Sequence, residues 1–295
     1  MNKCDRMSAR KKRTVYNSVN ILVELVTAGL FLYKYKNITD IFSDGTAAQF
    51  VLLILVVVLV HIVKLGRVYL ALYDSGVNGL DYIKEYCKAT SVSMIFPFKL
   101  GELFRMYCFG KLIGNALKGG VIILLDRFMD TAALISVTIF IRIWTGGEIT
   151  NLVYVLLMFL VFVLIIYLLF PRIYTFWNKR LLGLNATQSR LRALKFFNYL
   201  NSIYCEVEDV TKGRGIILYS MSMIAWGVEI GSLYILNGNV ADHTAYGVVS
   251  DYLTSAISGR QSIELERFVI TSAVFLMGIY FIIKICDFLR RKDKW

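Results

Sequence analysis

Residues 151–170 read NLVYVLLMFLVFVLIIYLLF, twenty residues without a charge, which is the length a helix needs to cross about 30 Å of hydrocarbon. The run is continuous and does not alternate, so it predicts a helix and excludes a strand of a membrane barrel. Working outward, runs of the same kind lie near 17–33, 47–73, 119–141, 215–236 and 268–289. The chain of 295 residues is 57% hydrophobic, 18% charged and has only two prolines, whereas an ordinary soluble domain carries about 25% charged residues. A disordered chain is excluded and a soluble globular enzyme is disfavoured. The fold class is all-α, a polytopic membrane protein of about six full spans in a single integral membrane domain, 1–295. The basic stretch from Lys3 to Arg13 precedes an apolar run without a small-residue cleavage site, so a retained anchor is expected there.

The net charge of +12 would suggest nucleic acid as the partner of a soluble protein, but here its distribution argues otherwise. With the N-terminus inside, 27 Lys and Arg fall on the cytoplasmic side and five outside, while Arg127 lies within a span. That is the bias expected of an N-in, C-in protein of a prokaryotic cytoplasmic membrane, and no nucleic-acid partner is expected. The five cysteines form no CxxC pair, the two histidines lie far apart, and no hydrolase, nucleotide-binding or dinucleotide motif occurs. Neither a metal nor another cofactor is expected.

Two stretches break the span pattern. Residues 78–115 hold a short apolar core interrupted by Pro97 and Gly101, and 239–267 hold another with a break at Gly259. Both are too short to cross and read as re-entrant hairpins, which need protein or a water-filled cavity to cover their backbone. An offset of 162 lays Ser93 on Ser255, Glu102 on Glu264, Leu103 on Leu265 and Arg105 on Arg267. The preceding spans end on opposite sides, so the hairpins belong to a degenerate inverted repeat, about 47–143 and 209–290. Inverted repeats with broken helices point to a substrate site near the membrane midplane.

The run 119–141 carries Asp126, Arg127 and Asp130. Ionisable groups at that depth cost at least about 2.5 kcal/mol each, so they are expected to face the interior in pairs. Asp126 and Asp130 share a face at i, i+4, and Arg127 points about 100° away. That leaves Arg105 and Lys99 of the first hairpin as their expected cations. A buried structural network and a lipid-headgroup or proton site both remain open for this cluster.

The run FPFKLGELFR at 96–105, followed about twenty residues later by DRFMD at 126–130, resembles the P-x-x-x-G-E-x-x-R and (E/D)-R-x-x-D signature of the lysylphosphatidylglycerol synthase transmembrane family, which are flippase-like membrane proteins. The resemblance implies a lipid-translocating membrane part. In bifunctional members a separate cytoplasmic domain performs lysyl transfer to phosphatidylglycerol. This chain ends just past its last apolar run, so that domain, and with it chemical catalysis, is expected to be absent. Asp126 stands where the family more often has Glu, and the second hairpin has no proline.

Residues and resemblance together lead to a carrier for an anionic, aminoacylated or polyprenyl-phosphate-linked lipid. Lys99, Arg105 and Arg127 supply cations for a phosphate. Glu102, Asp126 and Asp130 hold those cations between substrates, and Glu264 and Arg267 are the second-repeat counterparts. The alternative is a membrane scaffold for a lipid-modifying synthase or glycosyltransferase, docked through the amphipathic segment 188–212. Homo-oligomer formation is compatible with either reading.

Overall fold

A computed structural model of the chain describes residues 3–36, 38–43, 45–96, 100–146, 150–182, 188–237, 244–258 and 262–292. Every regular element among them is helical: α1 (Lys3–Lys34), α2 (Ile38–Phe42), α3 (Ala47–Leu72), α4 (Gly79–Ile95), α5 (Leu100–Ile113), α6 (Ala116–Thr145), α7 (Asn151–Leu182), α8 (Gln188–Thr211), α9 (Gly215–Asn237), α10 (Thr244–Ser258) and α11 (Ile263–Lys292). Among the described residues, four helical stretches are long and apolar enough to cross a membrane: Ala47–Ser75, Asn151–Leu182, Gly215–Ile235 and Ile263–Arg290. Helices α1 and α6 are not among these four. Both are long, but α6 carries three ionisable residues at its centre and α1 begins in a basic run.

Local sequence sets the helix ends. Thr46 and Gln49 form a reciprocal capping box at the start of α3, and the side chains of Asn78 and Asn115 accept from Leu80 N and Lys118 N to cap α4 and α6. Each cap satisfies backbone donors that a helix start leaves open. The turn between α5 and α6 needs the left-handed conformation at Gly114, φ +77°, which glycine adopts without steric cost.

Helix α3 packs extensively on α9, with α6 against α9 and α5, α4 against α11 and α5, and α10 against α9. The largest core joins Val68 and Leu72 of α3 to Tyr82 and Tyr86 of α4, Phe109 of α5, Ile122 of α6 and Leu276 of α11. A second core gathers Leu134, Trp226, Tyr252 and Leu253 from α6, α9 and α10. Outward faces are apolar instead of polar, as at Phe162 and Leu168 of α7, both exposed. Hydrocarbon tails can solvate such a surface, and the helices satisfy their backbone internally.

Two features differ from the sequence reading. The first hairpin is two separate helices, α4 and α5, but the second runs without interruption from its second leg into the last span as α11, because no Gly-Asn turn follows residue 267. Gly101, expected at the hairpin break, instead lies in the first turn of α5. Its role there is close approach, since a Cβ would run into the backbone of Ser93 on α4. The other two expected breaks, Pro97 and Gly259, lie outside the described residues.

Close approach recurs where α5 meets α6, where a Cβ on Gly119 would strike the backbone of Gly110. Gly119→Ala gains helix propensity of up to about 1 kcal/mol, but the clash is with backbone that cannot rotate away, and overpacking costs about 1–3 kcal/mol. A lower unfolding temperature in detergent is expected for Gly119→Ala. Gly120→Ala, whose Cβ would meet nothing within 4 Å, is expected to be neutral or stabilising. Equal behaviour of the two variants would contradict the close crossing.

Candidate functional site, a row of alternating charges

Three helices bring six ionisable side chains into one connected row. On α6, the Asp126 carboxylate sits between two guanidinium groups: Arg67 of α3 reaches Oδ1 at 2.5 Å, and Arg105 of α5 reaches Oδ2 at 3.3 Å. Arg67 also donates from Nη1 to Asp130 Oδ1 at 3.0 Å and to the Ser222 hydroxyl of α9. On the other side, Arg105 Nη1 donates to Glu102 Oε2 at 3.1 Å, and Arg127 Nη2 lies 2.6 Å from Glu102 Oε1. The Ser93 hydroxyl of α4 donates to the same Glu102 oxygen at 2.5 Å. The order along the row is therefore Arg127, Glu102, Arg105, Asp126, Arg67, Asp130, with the sign of charge alternating at every step.

Burial grades along it. The side chains of Arg67, Arg105 and Asp126 are buried, and those of Asp130 and Glu102 nearly so, whereas Arg127 is 44% exposed. Removing such charges from water costs several kcal/mol per ion, offset only when each is paired and hydrogen-bonded. Each of the six has at least one partner of opposite sign. A recess of about 10 Å³ lies beside the row, lined by Arg67, Asp126, Val68, Ile122, Met129 and Leu218 among others. That is room for about one water molecule, far below the roughly 300–1,000 Å³ of a ligand pocket, so the row is closed on itself here.

A second polar set lies where α3, α9 and α10 meet. Lys64 of α3 donates to the buried Glu229 of α9 at 3.0 Å, and the Tyr252 hydroxyl of α10 donates to the other Glu229 oxygen at 3.0 Å. At the 162-residue offset Arg67 falls on Glu229, so α3 and α9, which pack together, carry opposite charges at that spacing. On α11, Arg267 Nη1 donates to Glu264 at 3.1 Å, the same i, i+3 pairing that Glu102 and Arg105 make, and its Nε donates to the Ile41 carbonyl of α2 at 2.7 Å. Elsewhere His61 is buried, with Nδ1 3.4 Å from the Tyr86 hydroxyl and Nε2 without a hydrogen-bond partner. Glu24 accepts from the Tyr280 hydroxyl at 2.8 Å. No group of three or more His, Cys, Asp or Glu with metal-binding geometry occurs among the described residues.

Residues 19–258 match the family model described as the lysylphosphatidylglycerol synthase TM region. The chain belongs to that family. No curated protein and no solved structure shows significant similarity to it. Within this lysylphosphatidylglycerol synthase TM region, Glu102, Arg105, Asp126, Arg127 and Asp130 come together, whereas Glu264 and Arg267 form a separate pair on α11. Lys99 lies outside the described residues. Sequence reasoning missed Arg67, the cation that serves both aspartates, because it counted with the basic residues of the cytoplasmic side. The available signal was its place with Lys64 on one helical face, i and i+3, still inside the run ending at Leu72. Arg127, read as too far around the helix for both aspartates, turns to Glu102.

Proposed function

We propose that this protein carries a phospholipid, anionic, aminoacylated or polyprenyl-linked, between the leaflets of the membrane. The observation that carries the reading is the row itself: three guanidinium groups and three carboxylates are kept where apolar residues of similar size would fold at no greater cost. Guanidinium is the side chain best matched to phosphate. A headgroup phosphate is chemically able to take the place of Glu102 or Asp126 on Arg127, Arg105 and Arg67, and Lys99 belongs to the same proposal. Because the row is closed, a headgroup enters only as ion pairs part, and the displaced carboxylates restore the row when it leaves. Membership in a family named for a phospholipid synthase supports a lipid as partner.

The proposal extends to topology. Helices α1 and α6 complete six spans, and the two broken-helix regions are halves of an inverted repeat, with Glu264 and Arg267 as the far-side counterpart of Glu102 and Arg105. Both termini face the cytoplasm of a prokaryotic cell, in accord with the bias of 27 basic residues to five. The competing reading, a scaffold for a lipid-modifying synthase, draws on the exposed outer surface of α8.

Leaflet exchange separates the two readings. The purified protein in liposomes is expected to bring fluorescent phosphatidylglycerol or an aminoacylated or polyprenyl-phosphate analogue to a dithionite-accessible leaflet faster than protein-free vesicles do. A rate equal to that of protein-free vesicles for all three lipid classes, together with binding to a synthase, would replace the carrier by the scaffold.

A further inference from the structure

Helix α7 runs on past the end of its uncharged stretch. Twenty residues from Asn151 to Phe170 fill about 30 Å of hydrocarbon, and the twelve residues 171–182 continue for roughly another 18 Å at ~1.5 Å per residue. Helix α8 folds back along this extension, held by an aromatic ladder. Phe170 stacks on Tyr204 with centroids 5.3 Å apart, Trp177 on Phe197 at 6.0 Å, and the Tyr174 hydroxyl donates to Asn198 at 3.0 Å. Phe170, Tyr174 and Trp177 recur at i, i+4, i+7, which gives α7 one face turned to α8. The two helices make a single arm, joined to the bundle near Val210, which is buried with Val68, Ala71 and Ile122.

The outer surface of the arm has a definite chemistry. From residue 149 to residue 205 the sequence contains no acidic residue, and between Arg172 and Lys195 it contains six basic ones. On α7, Arg172, Phe176 and Lys179 form a stripe at helical spacing, and on α8 Arg192, Lys195, Phe196 and Tyr199 form another. All seven side chains are exposed. Cations alternating with large rings along one stripe suit a surface that is negative at the top and apolar beneath, into which rings insert while basic heads stay at the phosphates.

We infer that the α7–α8 arm is a binding surface for anionic phospholipid headgroups of the leaflet from which α7 emerges. Continuity with α7 places the base of the arm at the headgroups, since the uncharged stretch ends at Phe170 and Arg172 follows Pro171 directly, and binding lays the rest of the arm towards that surface. Cations and rings alone would also suit a single-stranded nucleic acid, but here they continue a helix whose preceding twenty residues are uncharged and long enough to cross a bilayer, which favours a lipid surface.

The full chain in nanodiscs of phosphatidylcholine, with or without one-third phosphatidylglycerol, tests this. Backbone amides of 188–205 are expected to exchange about tenfold more slowly in the anionic discs, each Lys or Arg near such a surface contributing a comparable attraction. Lys179→Glu with Arg192→Glu and Lys195→Glu, all at exposed positions, is expected to abolish the difference. Trp177 emission, read in a chain whose other tryptophans are phenylalanine, is expected to be quenched by brominated lipid more strongly in the anionic discs. Equal exchange and equal quenching in the two discs would overturn the inference. So would protection in neutral discs that appears only with an added RNA oligonucleotide, or that rises with protein concentration.

Discussion

Replacing Arg67 by methionine is expected to cost about 3–5 kcal/mol of stability, the range for removing one partner of a buried ion pair. Against total stabilities of about 5–15 kcal/mol that is a large fraction. Arg67 holds Asp130 and shares Asp126 with Arg105, and methionine fills similar volume but leaves Asp130 without a guanidinium and Asp126 with one of its two. The double variant Arg67→Met with Asp130→Asn removes one stranded charge and is expected to recover part of the loss. Unfolding of the four proteins of this cycle in detergent gives the coupling directly. Strictly additive losses would show that the pair contributes nothing beyond its separate members.

Arg127 behaves in the opposite way, because it lies at the exposed end of the row. Arg127→Gln is expected to leave stability within about 1 kcal/mol, because glutamine keeps the size and some hydrogen bonding and Glu102 keeps Arg105 as its cation, while lipid exchange falls about 10- to 100-fold, the loss of one charge-assisted bond of roughly 1.5–3 kcal/mol. Glu102→Gln keeps the size of the side chain and is expected to lower exchange similarly, since it can no longer compete with a phosphate for Arg127 and Arg105. Neutralising Arg192 and Lys195 on α8 is expected to do much less. Exchange at the wild-type rate in both the Glu102 and Arg127 variants would refute the carrier reading, and the measurement is meaningful because folding is monitored in parallel.

Much of the architecture is legible in residue order because a bilayer imposes few solutions. An uncharged run of twenty residues has only a helix to become, and four of the six expected runs lie in helices long and apolar enough to cross. The second hairpin was harder to read. Hydropathy locates its short apolar core but carries no information on whether Ile263 begins a separate leg or the foot of a long helix, a matter decided by the missing turn. The site was legible where charge stands out against hydrocarbon, at Asp126 and Asp130, and its Arg105 partner followed from electrostatic need. Arg67 escaped because a cation four or five residues from a helix end has two fates, snorkelling to the interface or turning inward, and one sequence position does not distinguish them. The contacts that decide it come from Ser222, Asp126 and Asp130, on helices distant in sequence.

The six charges that link α3, α5 and α6 sum to zero, and that has an electrical consequence. A carrier whose own moving groups are neutral as a set does not compensate the charge of its cargo. In the proposed cycle a monoanionic headgroup would cross as one net negative charge, and a transmembrane voltage of 100 mV would bias its direction by about 2.3 kcal/mol. A zwitterionic lipid would cross the same path without responding to that voltage. Flux of the two lipid kinds under an imposed potassium diffusion potential would then report the valence of the cargo, and a membrane held negative inside would itself supply a drive for moving anionic lipid outward.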